Sequence, residues 1–192
     1  MHLLEREFDE KIKDMKIFFE QVILTHDKVL HSTILKSSMI LMLYNISESS
    51  IRKIIEYIHD ELSGFDFCVL SDSINCNFLK YNNFNKFPDF KYYLRNKKGA
   101  LFSGNVDSRK VLKELKKYGI SVKLPEEKKY LLNIKSKRNM LAHGNETFKE
   151  SSRNITNNEL EKWIKALEMV FSVVIREVKV FIDNKLYLKP PR

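Results

Sequence analysis

The sequence predicts an all-α protein, a bundle of long antiparallel helices with shorter helices inserted between them. Three observations carry that expectation. Apolar residues recur at three and four along most of the chain, the period of helices that bury one face. Glycine and proline are scarce, five and four residues, and they fall between the periodic segments. The 192 residues, 43% of them apolar, suffice for a single domain over 1–192 with a core of its own.

The elements follow in order. Leu4, Phe8, Ile12, Met15, Phe19, Val22 and Ile23 mark an amphipathic helix over residues 2–24. A longer helix spans 28–62. It is strongly apolar from Ile34 to Ile46 and one-sided afterwards through Ile51, Ile54, Ile55, Ile58 and Leu62, with Gly64 to close it. A weaker helical segment covers 67–82. Residues 81–106, rich in Asn and aromatics and holding Pro88, read as an irregular insertion.

Residues 107–118 read as a short basic helix, with Asp107 as its N-cap and Gly119 as its stop. Pro125, Glu126 and Glu127 suit the first turn of another helix, because proline fits at N1 and acids suit the positive end of the dipole. That helix runs to about His143 and ends at Gly144. Thr156 and Glu159 spell a capping box that opens a last helix over 157–184, through Leu160, Ile164, Leu167, Val170, Phe171, Val174 and Val178.

Composition narrows the function classes. Apolar runs such as Met39–Tyr44 are far too short to cross a bilayer, and the charged N-terminus lacks a signal-peptide core, so a cytoplasmic protein is expected. Cys68 and Cys76 fit no common zinc spacing and read as packing residues; no metal and no cofactor is expected. A formal net charge of +9 favours a polyanionic partner, most commonly nucleic acid, although Lys-rich solvated faces also accompany the Lys-, Asn- and Ile-rich composition of AT-rich genomes.

The densest chemistry lies in Arg138-Asn139-Met140-Leu141-Ala142-His143-Gly144. RNA cleavage by the 2′-hydroxyl needs proton transfer, which a histidine near neutral pH provides. It also needs stabilisation of charge on the phosphoryl oxygens, which the arginine fork provides. On a regular helix Arg138 and His143 lie about 140° apart. They converge only if the helix breaks before His143, or if a second subunit supplies one of them. A structural reading stands beside the chemical one: Arg138 near a helix C-terminus, His143 in the last turn and Gly144 as the stop.

The stretch Arg138–Asn145 resembles the Arg-x4–6-His motif of the HEPN superfamily, with Asn139 as the polar residue after the arginine. Leu43-Tyr44-Asn45-Ile46-Ser47-Glu48-Ser49-Ser50, Phe102–Asp107, Lys117–Ile120 and Thr156 resemble the MAE-type nuclease branch in the expected order. The resemblance implies a helical bundle that forms a homodimer, two Arg–His motifs in a cleft between subunits, and a metal-independent endoribonuclease. Such proteins commonly act as toxins or anti-phage defence effectors, with an antitoxin or another defence-system protein as partner. It implies His143 as the proton-transfer residue, Arg138 as the phosphate residue and Asn139 as polar support. The position two after the motif histidine is Asn145 rather than the Tyr that partner nucleotidyltransferases modify in some family toxins, so that control is not implied here.

Further residues complete the candidate set. Glu48 can enter the same cleft and orient Arg138 or His143, or pair with Arg52 one turn on; Asn45 is a weaker candidate. Lys110, Lys113, Lys116 and Lys117, together with Lys135 and Lys137, are candidate RNA-binding residues. Phe84, Phe87, Phe90, Tyr92 and Tyr93 can stack bases, though such rings more often pin an irregular segment to the core. His26, His31 and His59 have no partner pattern and receive no role, and Trp163 reads as a core or dimer contact.

Overall fold

The computed structural model describes residues 2–25, 29–78, 86–96, 101 and 105–190. Among these, eight α-helices form: α1 (His2–Leu24), α2 (Val29–Leu62), α3 (Asp72–Phe78), α4 (Phe90–Asn96), α5 (Ser108–Lys116), α6 (Lys129–Ala142), α7 (Phe148–Ser152) and α8 (Asn157–Asp183). Single 3-10 turns occupy Phe67–Val69 and Glu126–Lys128. No strand forms among the described residues; two isolated bridges join Asp66 to Lys86 and Leu70 to Leu188.

α2 is the centre. It packs against α1, α4, α6, α7 and α8, and α8 in turn packs on α1 and α6. This explains the apolar stretch of α2: Met39, Ile40, Leu43, Tyr44, Ile51, Ile54, Ile55, Ile58 and Leu62 are all fully buried. Burying such a side chain is worth about 1.5–3 kcal/mol before entropy is counted. Every apolar position expected to line the last helix is buried on α8. On α1 the stripe holds through Leu4, Phe8, Ile12, Met15 and Val22, whereas Ile23 is exposed. Thr156 caps α8, accepting from the Glu159 N–H while Glu159 reaches back to the Thr156 N–H.

Three expectations are corrected. Within the stretch read as irregular, residues 90–96 are helical, started by Asp89, whose carboxylate accepts from the Tyr92 N–H at 2.8 Å. Residues 79–85, 97–100 and 102–104, and with them Phe84, lie outside the described residues, as does His26. Cys68 and Cys76 are free and exposed rather than packed.

The third correction is His59. It is completely buried, ringed by Phe78, Phe87, Phe90, Tyr93 and Tyr118 with centroids 4.5–5.9 Å away. Nδ1 lies 2.9 Å from the Pro88 carbonyl; a carbonyl only accepts, so Nδ1 carries the hydrogen. In the neutral ring Nε2 then accepts from the Tyr118 hydroxyl at 2.9 Å. The histidine ties the aromatic segment to α2 and to the end of α5, and Phe87 and Phe90 are buried against it.

Candidate functional site

The Arg–His stretch is the end of α6, and the helix stays regular through it. The His143 N–H donates to the Asn139 carbonyl at 3.0 Å, an ordinary α-helical bond. α6 then stops in a Schellman motif: Gly144 N–H donates to the Leu141 carbonyl at 3.2 Å, and Asn145 N–H to the Met140 carbonyl at 2.9 Å. Gly144 sits at φ +69°, a conformation open to glycine without strain. His143 is the half-helical residue before it.

Because no break precedes His143, helix geometry sets the two positions about 140° apart. Arg138 is half-buried, its guanidinium carbon 4.4 Å from the centroid of the Tyr44 ring. His143 is exposed, and among the described residues its imidazole has no hydrogen bond or ion pair.

Arg138 is seated by residues from three parts of the chain. Tyr44, on α2, is fully buried and its hydroxyl accepts from the Val106 N–H at 3.2 Å. Burial pushes the Tyr44 pKa up, and the negative charge of Glu48, one turn along α2, adds to that. Asn139 accepts from Arg138 Nη1 at 3.1 Å and donates to Asn105 Oδ1 at 3.3 Å. Three segments of the sequence resemblance thus meet around one guanidinium, although Phe102, Ser103 and Gly104 lie outside the described residues. Sequence reasoning assigned Tyr44 no role of its own. Glu48 is half-buried and, among the described residues, is paired neither with Arg52 nor with Arg138. Asn45 is exposed.

Most of the candidate lysines are already committed. Lys135 Nζ donates to Asp107 at 2.6 Å and Lys137 Nζ to Glu146 at 3.1 Å. Lys117 and Lys110 share the buried Glu114 carboxylate, at 2.6 and 3.6 Å. Lys113 and Lys116 are exposed and in no ion pair among the described residues. They border an open groove of about 900 Å³ that Ser73, Asn77 and Ser121 also line.

Asp107 holds two elements at once. It caps α5 by accepting from the Lys110 N–H at 3.0 Å, and it anchors Lys135 of α6. Burial opposes its ionisation, but Lys135, the Lys110 N–H and Arg109 outweigh it and keep the carboxyl below the ordinary 3.8. A depressed folded pKa contributes stability that is complete above the unfolded value and is lost as pH falls through the folded one. Asp107→Asn keeps a cap and loses the charge. It should cost about 1–2 kcal/mol at pH 7 in urea denaturation. The gap to wild type should narrow once pH falls below 3.8.

The turn after His143 is held from the far side as well. α7 opens with a second capping box, Thr147 with Glu150. Ser37 donates to the Phe148 carbonyl, Lys36 to the Ile155 carbonyl and Ser152 to the Thr33 carbonyl, at 2.5–2.9 Å. These bonds clasp α7 and its exit to the N-terminal half of α2.

Among the described residues no three His, Cys, Asp or Glu side chains cluster as metal ligands would. No described helix is long and apolar enough to cross a membrane. The profile of the RiboL-PSP-HEPN family matches residues 6–180, so the chain belongs to that family and hence to the HEPN superfamily. The match does not specify the MAE-type branch. HEPN domains bind RNA, often dimerise and are commonly associated with ribonuclease activity. No curated protein and no solved structure matches the chain significantly.

Proposed function

We propose that this HEPN domain is a homodimeric, metal-independent endoribonuclease acting as a toxin or anti-phage defence effector. One observation carries the reading. Within a chain Arg138 lies half-buried over Tyr44 while His143 is exposed, and ideal helix geometry sets the two positions about 140° apart, so a working Arg–His pair needs a second copy. In the cleft between two copies, His143 of one chain faces a phosphate gripped by Arg138 of the other. The RNA 2′-hydroxyl attacks phosphorus and gives up its proton; His143 carries either that proton or the one the leaving oxygen takes up, and water carries the other. Arg138 stabilises the added charge, and the departing 5′-oxygen is protonated, leaving a 2′,3′-cyclic phosphate and a 5′-hydroxyl.

Asn139 orients Arg138, and Glu48, half-buried one turn from Tyr44 on α2, lends the cleft its negative charge. Lys113 and Lys116, the members of the lysine set in no ion pair among the described residues, contact the RNA backbone. A cognate antitoxin or another protein of the same defence system restrains the enzyme.

The test is incubation of wild type and His143→Ala with mixed cellular RNA in excess EDTA, with analysis of the fragment ends. Cyclic-phosphate ends from wild type alone are the expected result. The loss in rate on removing a proton-transfer residue is about 10²–10⁴-fold. Intact RNA with both proteins, with binding retained, replaces this reading with a non-catalytic RNA-binding or scaffolding dimer.

A further inference from the structure

We infer that Tyr44 is a positioning residue for Arg138, the buried platform that fixes where the guanidinium presents its donors. This rests on the ribonuclease reading for its kinetic consequence, though not for its geometry. Tyr44 has no accessible surface, so it cannot touch RNA. Its ring face lies 4.4 Å beneath the guanidinium carbon, the arrangement in which a cation is drawn to the π-cloud.

The platform is itself immobilised. The Val106 N–H donates to the Tyr44 hydroxyl at 3.2 Å, and the ring is packed in the central helix. Arg138 is therefore held from below by the ring and from one edge by Asn139 Oδ1. A guanidinium carries five N–H donors in a rigid fork, so fixing its plane and one edge leaves the others pointing in a defined direction. A freely rotating arginine would lose rotamer entropy on meeting each phosphate; this one has lost it on folding. Small misplacements of such a group are costly to the chemical step, about 100-fold for 1 Å.

The experiment compares Tyr44→Leu, which removes the π face, with Tyr44→Phe, which keeps it. Tyr44→Leu should lower kcat about 10–100-fold with KM within about twofold. Tyr44→Phe should lose no more than about threefold. Wild-type kcat in folded Tyr44→Leu overturns the inference, and so does an equal loss in both variants, which would assign the effect to the hydroxyl. A second readout needs no activity. With ¹³C-labelled arginine, the Arg138 side-chain methylene protons should be shifted upfield by the Tyr44 ring in wild type and Tyr44→Phe, with Arg138→Lys giving the assignment. Ordinary shifts in wild type overturn the inference even if Tyr44→Leu does not fold. Upfield shifts in a protein that fails to cleave RNA would leave the platform intact and sink the ribonuclease reading instead.

Discussion

A heterodimer of Arg138→Ala and His143→Ala chains, co-expressed with two tags and purified through both, is expected to cleave RNA although each parent homodimer is inactive. One chain then keeps His143 and the other keeps Arg138. If the pairs form between chains, one of the two is intact and about half of the wild-type activity returns. If the pair formed within a chain, neither chain would hold both residues and the heterodimer would be as inactive as its parents. That result, or failure of the two chains to co-purify, would sink the composite cleft. Neither substitution should harm the fold. His143 contributes only backbone bonds among the described residues, and Arg138 is half-exposed at the helix surface.

His59→Ala should be among the most destabilising substitutions in the protein, costing about 3–5 kcal/mol in urea denaturation. It opens a cavity among five aromatic rings and strands the Pro88 carbonyl and the Tyr118 hydroxyl. His59→Phe refills the space and leaves the two polar groups without their partner, so it should fall between wild type and His59→Ala. Since a domain is stable by only about 5–15 kcal/mol, His59→Ala approaches the limit of folding. Equal stability of all three proteins would show that the ring is dispensable to the core.

The parts of the fold legible in the sequence were those written in local signals. Asp107 and Thr156 announced their helices because a cap acts on backbone donors two or three residues away. The stripe of α8 was legible because its whole length rests on the core. α7 was missed although Thr147-Phe148-Lys149-Glu150 spells the same box as Thr156–Glu159; five residues are too few to show a period. α4 was missed for the same reason, with Asp89 as the overlooked start signal.

For the candidate site, the sequence names residues but not their pairings. Lys135 and Lys137 lie beside Arg138 in sequence and were grouped as RNA contacts. Their partners, Asp107 and Glu146, lie 28 and nine residues away, where spacing arguments do not reach. Tyr44 was hidden in an apolar run that reads as core. It is core, and its upper face is nonetheless the seat of Arg138.

The clasp of α7 onto α2 has a mechanical consequence. Arg138 rests on α2 through Tyr44, and the turn bearing His143 is tied to the same helix through Ser37, Lys36 and Ser152. The Arg138 guanidinium and the backbone turn that carries His143 are thus tied to one 34-residue rod. Inside a single chain the separation of the two attachment points is set by the scaffold. In the proposed dimer, the gap between the arginine of one copy and the histidine of the other would be set by how the two α2 rods dock, not by rearrangement within either chain.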